Sequence, residues 1–313
     1  MKHYLSINDI DSLPDWVTEA RELKKNPRAH RLLGAEKTLC MLFFNNSLRT
    51  RLSTQKAAMH LGMEVMVMNF GTESWSLEFG DGTVMDQGSA EHIKEAAKVV
   101  AQFCDIVAIR SFAGLKDKEI DAADVVLNGF VEHAAIPVVN MESSMGHPLQ
   151  ALADAITLAE NAQKKRPKVV LSWAPHPKAL PHAVPNSFVR MMQRQEADFV
   201  ITHPKGYELD PSITKGSTIE YDQYKALKGA DFVYVKNWCC YSDYGSVLNR
   251  DTSWMMTKGK LGQAKFMHCL PVRRNVVVED AVLDGSRSLV IEQANNRTYA
   301  AQVVLKKILD SNP

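Results

Sequence analysis

Short apolar runs recur along this chain, and nearly every one is followed by residues spaced as on a helix. The runs fall at 38–44, 64–69, 105–110, 136–140, 169–173, 199–202, 232–235, 266–269 and 289–291. Helical spacing predicts helices over 7–25, 52–61, 90–103, 117–130, 148–162, 183–193, 223–228, 278–283 and 296–309. Alternation of this kind builds parallel sheets, because each helix returns the chain to start a new strand in the same direction. The basic, proline-containing joint Lys164-Lys165-Arg166-Pro167 interrupts the pattern, and 313 residues suit two domains. The expected fold class is therefore α/β, with two doubly wound parallel-sheet domains and the active site in the cleft between them. The expected divisions are 1–150 and 151–293, with a closing helix over 294–313 that packs back on the first. Two stretches without periodicity, 70–87 and 237–256, read as long loops, and such loops are commonly functional.

Ligands of parallel sheets bind beyond the carboxyl ends of the strands, and several polar residues stand at or just past those ends. They are Arg49, Arg110, Glu142, His147, His176, Lys236 and His268. The densest group is Ser47-Leu48-Arg49-Thr50-Arg51, where the first strand becomes a helix. Asn46 or Ser47 can cap that helix, whose first N–H groups face outward. Two arginines and two hydroxyls there suit a phosphate dianion. An ordinary capped helix with solvated arginines is the alternative. No glycine-rich run with a terminal lysine is present, so a nucleotide P-loop fits poorly, and no Gly-x-Gly-x-x-Gly follows a strand as a dinucleotide oxidoreductase would require.

A hydrophobic fraction of 45% and a charged fraction of 23% are those of ordinary globular proteins. A formal net charge of +1 points away from nucleic acid and anionic membranes as partners. The five cysteines (Cys40, Cys104, Cys239, Cys240, Cys269) lack CxxC spacing, so neither a disulfide framework nor a zinc site is expected. Without a signal-peptide pattern or a bilayer-length apolar run, the cytoplasm is the expected compartment.

Three short strings in order carry a resemblance that runs through most of the chain. Ser47-Leu48-Arg49-Thr50-Arg51 resembles the carbamoyl phosphate signature of the aspartate/ornithine transcarbamylases, normally Ser-x-Arg-Thr-Arg. His147-Pro148-Leu149-Gln150 resembles that family's His-Pro-x-Gln, and His268-Cys269-Leu270-Pro271 its His-Cys-Leu-Pro. The resemblance implies that an amine attacks carbamoyl phosphate and releases phosphate. It implies that Ser47, Leu48, Arg49 and Thr50 hold the phosphate, and that Thr50, Arg110 and His147 grip the carbonyl oxygen. Gln150, with the backbone carbonyls of Cys269 and Leu270, would orient the carbamoyl amino group, and Arg297 would help hold the ligand. Trp75 would reach into a neighbouring subunit's site, making the protein a homotrimer with shared sites. A tryptophan stacked on its own domain is the alternative. No metal or organic cofactor is implied.

The acceptor is read from departures within the family. The Asp-x-x-x-Ser-Met-Gly loop of ornithine enzymes is absent, and Lys236-Asn237-Trp238 stands in its region. Trp173-Ala174-Pro175-His176-Pro177-Lys178 resembles the branch that carbamylates N-acylated ornithine. In the N-acetylornithine enzymes a glutamate stands where this chain has Ala90, and a lysine where it has Val277. The N-succinylornithine enzymes have proline and an aliphatic residue there, so Ala90 departs from both patterns. Losing a glutamate removes repulsion against a succinyl carboxylate. The residues expected to face the N-acylornithine are Ala90, Phe112, Glu142, His176, Lys236 and Arg273, with Arg273 the cation for a carboxylate. N-succinylornithine is the expected acceptor, ahead of N-acetylornithine and then ornithine, in a route of arginine biosynthesis. A paralogue without catalysis, acting as a binding or regulatory protein, is the rival class. Structural roles for Glu142, His176 and Lys236 are the alternatives residue by residue.

Overall fold

In the computed structural model, residues 1–70 and 72–312 are described. Gly71, inside the expected 70–87 loop, and Pro313, at the end of the expected closing segment, lie outside the described residues. The chain forms two compact units. One comprises Met1–Gly114, Lys118–Leu149 and the chain from Arg297 onward; the other comprises Leu115–Asp117 and Gln150–Asn296.

The first unit contains α1 (Leu13–Lys25), β1 (Thr38–Phe43), α2 (Leu48–Leu61), β2 (Glu64–Asn69), β3 (Ser76–Glu78), β4 (Ser89–His92) and α3 (Ile93–Val100). It continues with β5 (Ile106–Arg110), α4 (Lys118–Ala122), α5 (Val125–His133) and β6 (Val138–Glu142). Its main sheet has four parallel strands in the order β2-β1-β5-β6. The centre reads as continuous apolar sequence because both faces of β1 and β5 are covered. On one face Leu42, Val107 and Ile109 pack with Ile93 and Ala97 of α3 and with Leu127 and Phe130 of α5. Tyr4 closes the outer edge of β6: its N–H donates to the Val138 carbonyl and its carbonyl accepts from Asn140 N–H.

The second unit contains most of α6 (Pro148–Asn161), then β7 (Lys168–Trp173), α7 (Ala183–Met192), β8 (Asp198–Thr202), α8 (Pro211–Thr214), β9 (Thr218–Ile219), α9 (Gln223–Leu227) and β10 (Phe232–Lys236). It ends with α10 (Lys258–Leu261), β11 (Lys265–Met267), α11 (Asp280–Leu283) and the start of α12 (Val290–Ser311). Its five strands are also parallel, in the order β11-β10-β7-β8-β9. Val170, Val233, Val235 and Phe266 form one face of its core, against Leu261, Val282 and Val290.

Several expected boundaries move, each for a local reason. The 289–291 run is not a strand; Val290 and Ile291 open the 22-residue α12, whose buried Val303, Val304 and Ile308 continue the apolar positions. The expected 117–130 helix divides into α4 and α5, because Asp124 takes φ 44° and stops the first piece. The expected 90–103 helix starts later, since Ser89–His92 pair with Ser76–Glu78 inside the region read as loop. His92 then caps α3 through its ring nitrogen, 3.2 Å from Lys94 N.

The strand-to-helix turn at α2 depends on its two ends. Ser47 Oγ accepts from Thr50 N–H at 3.2 Å, which selects Ser47 over Asn46 as the cap. Gly62 ends the helix at φ 84°, and a Cβ built there would stand 2.0 Å from the Arg31 carbonyl oxygen. Replacing Gly62 by Ala is therefore expected to destabilise the protein by about 1–3 kcal/mol, from a left-handed non-glycine residue and the displaced Arg31 backbone. Chemical denaturation midpoints of the two proteins check this.

Candidate active site

The ends of β5 and β6 carry a charged pair because the ladder slips there. Ile109 faces Asn140 but Arg110 faces Glu142, so the irregularity sets a cation against an anion on adjacent strands. Arg110 and Glu142 are each 6% exposed and form a direct ion pair. His147 Nε2 lies 3.2 Å from the same Glu142 oxygen. Arg297 Nη2 donates to Thr50 Oγ1 at 2.6 Å and lies 3.3 Å from His147 Nε2. Arg110 Nη1 reaches the same hydroxyl at 3.4 Å. Thr50 Oγ1 thus accepts from two guanidiniums, leaving its own proton to point elsewhere as a donor.

Within the first unit, then, Thr50, Arg110, Glu142, His147 and Arg297 form one buried network. It gathers two guanidiniums around the Thr50 hydroxyl, one of them paired with the Glu142 carboxylate, beside the N-terminus of α2. Asp124 fixes the link from Glu142 to His147: its carboxylate accepts from Ser143 Oγ at 2.7 Å and Ser144 N–H at 2.8 Å. Burial pushes the Asp124 carboxyl above the ordinary carboxylate range. Glu142, expected to face the amine, is here tied to Arg110 and His147. Phe112 lies under Arg110, the guanidinium carbon 4.4 Å from the ring centre.

The arginines of the first motif take different places. Arg49 is half-buried, whereas Arg51 hydrogen-bonds Asn69 and covers the Phe43 ring at 4.5 Å. Leu48 is exposed. Trp75 is exposed too, and its indole N–H donates to Glu91 at 2.8 Å, next to the exposed Ala90 on β4.

Within the second unit, Gln150 opens a buried polar chain. Its Nε2 donates to Asp154 Oδ1 at 2.7 Å, and Gln293 Nε2 donates to the same oxygen at 2.6 Å. Gln293 Oε1 accepts from His268 N–H at 3.0 Å, and His268 Nδ1 accepts from Leu270 N–H at 2.8 Å. Cys269 is buried between them in sequence, and Leu270 takes φ 54° before a cis peptide bond to Pro271. Asp154 and Gln293 were not singled out from the sequence. The signal for Asp154 is its i,i+4 spacing from Gln150 within an otherwise apolar stretch of helix.

Arg273 Nε donates to His176 Nε2 at 3.1 Å, and His176 Nδ1 lies 2.8 Å from the Lys178 carbonyl. Lys178 N–H also points at Nδ1, 3.1 Å away, so that nitrogen faces both a donor and an acceptor of the same residue. Burial lowers the His176 pKa first, and the positive charges of Lys236, Arg273 and Lys178 lower it further. Lys236 ends β10, half-buried. Among the described residues no group of three or more His, Cys, Asp and Glu side chains could hold a metal ion. No helix among them is long and apolar enough to cross a membrane.

Residues 2–160 match the model of the aspartate/ornithine carbamoyltransferase carbamoyl-P binding domain, and residues 182–308 that of the Asp/Orn binding domain. The chain belongs to the aspartate/ornithine carbamoyltransferase family. It is 47% identical over 318 residues to an N-succinylornithine carbamoyltransferase of Bacteroides fragilis, covering 100% of both chains. It is 34% identical over 331 residues to an N-acetylornithine carbamoyltransferase of Xylella fastidiosa, covering 97% of this chain and 98% of that one. Among solved structures it is similar to a glutamate-to-alanine variant of N-acetyl-L-ornithine transcarbamylase complexed with carbamyl phosphate and N-succinyl-L-norvaline. That match has TM-score 0.90 and 33% identity, and covers 98% of this chain and 100% of the other.

Because burial and the neighbouring positive charges lower the His176 pKa, its NMR titration midpoint is expected below the ordinary 6.5, and Arg273→Gln should move it upward by removing one repelling charge. The linkage has a definite sign. With the folded pKa depressed, the group's contribution to stability is present above pH 6.5 and is lost as pH falls through the folded value.

Proposed function

We propose that this protein transfers the carbamoyl group of carbamoyl phosphate to the side-chain amine of N-succinyl-L-ornithine, giving N-succinyl-L-citrulline and phosphate. The observation that carries the chemistry is the buried network in which Thr50 receives hydrogen bonds from Arg110 and Arg297 while Glu142 holds Arg110 and His147. Two guanidiniums and one carboxylate leave positive charge next to the N-terminus of α2, which suits a phosphate anion. Ser47, Leu48, Arg49 and Thr50 hold the phosphate, and Arg297 braces Thr50. The neutral amine nitrogen forms a bond to the carbonyl carbon, whose oxygen becomes an oxyanion facing Thr50, Arg110 and His147. The C–O bond to phosphate then breaks, phosphate departs and the nitrogen gives up a proton. Donors already fixed by Glu142 need little rearrangement to stabilise that charge, which is where such sites gain most of their rate.

The acceptor side rests on His176, Lys236 and Arg273, with Phe112, Glu142 and Ala90. Ala90 stands where N-acetylornithine enzymes carry a glutamate. A solved enzyme of that kind with a glutamate replaced by alanine is complexed with N-succinyl-L-norvaline, and the relatives 47% identical to this chain are named for N-succinylornithine. A carboxylate on the acyl tail meets no glutamate at Ala90 and finds a cation in Arg273. The pathway is arginine biosynthesis, in the cytoplasm. Assayed in parallel with ornithine, N-acetylornithine and N-succinylornithine, the protein should turn over only the succinyl acceptor, and Ala90→Glu should lower that efficiency at least about tenfold. Turnover of N-acetylornithine instead would keep the chemistry and discard the role of Ala90. Failure with all three would favour a binding or regulatory paralogue.

The assembly proposed is a homotrimer with Trp75 contributed across subunits. Its support is an apolar stripe on α2, where Leu48, Leu52 and Met59 are 67%, 57% and 62% exposed, beside the edge strand β2 with exposed Met66 and Met68. An exposed apolar helix face next to an unpaired strand edge is the pattern of a subunit interface. Light scattering should give three times the 35.0 kDa chain mass. Leu52→Lys should dissociate the assembly and abolish activity together; a fully active monomer would refute shared sites.

A further inference from the structure

The proposed role of Gln150, accepting from the carbamoyl amino group, needs its amide turned one way. Oxygen and NH2 of an amide are nearly isosteric, so a half-turn would present two donors to another donor group. We propose that Asp154 is a positioning residue that sets this turn, and that it also fixes the backbone at His268-Cys269-Leu270. The proposal rests on the reading of Gln150 given above.

An ionised carboxylate only accepts, so both glutamines must direct NH2 at Asp154 Oδ1, at 2.7 Å for Gln150 and 2.6 Å for Gln293. All three side chains are at most 1% exposed, so water does not substitute for either bond. The consequence for Gln150 is that Oε1 is left buried with no hydrogen-bond partner in the protein. An unsatisfied buried acceptor is costly unless a ligand supplies the donor. The consequence for Gln293 is that its oxygen faces the other way and accepts from His268 N–H at 3.0 Å. That bond holds the segment whose Cys269 and Leu270 carbonyls are the other acceptors assigned to the carbamoyl amino group. One carboxylate therefore orients every acceptor proposed for that group, two of them through Gln293. Tyr234 beside Asp154 stays a neutral phenol, its pKa pushed up by burial first and by the Asp154 charge next.

The test is calorimetric titration of the full chain with carbamoyl phosphate and, separately, with inorganic phosphate. The variants are Gln150→Leu, Asp154→Leu, Asp154→Asn and the double variant Gln150→Leu/Asp154→Asn. Gln150→Leu and Asp154→Leu should each weaken carbamoyl phosphate about tenfold or more while phosphate affinity holds. Asp154→Asn, which keeps the shape and guards against a misfolded Leu variant, should lose at least about threefold, again only for carbamoyl phosphate. Its added loss in the Gln150→Leu background should be smaller than in the parent, since part of the effect runs through that amide. Equal loss for phosphate, or no loss in either Asp154 variant while Gln150→Leu is weakened, would overturn the positioning role alone. An unaltered Gln150→Leu would instead overturn the reading of Gln150 on which it stands.

Discussion

A guanidinium buried at a strand end must have a counter-charge, and in this protein Glu142 supplies it to Arg110. The two meet because the β5–β6 ladder slips at its last step, so the pairing is a property of the sheet and not of flexible side chains. Removing either partner would leave an isolated buried charge, which costs several kcal/mol. Everything else in the first unit's site hangs from that pair. Glu142 also takes His147, Arg110 also reaches Thr50, and Thr50 receives Arg297. The network is rigid because each member is held by another, and rigidity is what the proposed oxyanion site would require.

Much of this was legible in the sequence, for identifiable reasons. Parallel strands buried on both faces read as unbroken apolar runs, so β1, β5, β7 and β10 stand out without alternation. Arg110, Glu142 and Lys236 could be placed at strand ends because each follows such a run directly. The 289–291 run failed because three apolar residues fit the first turn of a helix as well as a short strand; length alone separates them. β3 and β4 were hidden since each is short and polar, with only Leu77 buried among Ser76, Leu77 and Glu78.

Asp154 and Gln293 were missed for a different reason. Their spacing along the chain is large, and nothing local announces that a carboxylate on α6 and an amide on α12 share one hydrogen-bonded oxygen. Such pairs become visible only when burial is known, because an exposed Asp154 would be an ordinary solvated residue. What the sequence did offer was the oddity of a charged residue among apolar neighbours. A buried carboxylate needs partners, and counting them leads to Gln150 and Gln293.

The two functions of the chain differ in how deeply they are built in. Thr50, Arg110, His147 and Gln150 are 1–6% exposed, and each is bound into a network with several members. Exchanging any of them disturbs its neighbours, so substitutions there carry a structural cost. Ala90 and Arg273 are exposed, and Arg273 is tied chiefly to His176. Substitutions at such positions carry little structural cost. On the proposed function, that difference fits relatives named for N-succinylornithine at 47% identity and for N-acetylornithine at about a third. On the same proposal, the buried network holds the carbamoyl side by physical interdependence, while exposed positions such as Ala90 and Arg273 leave the acceptor side open to change.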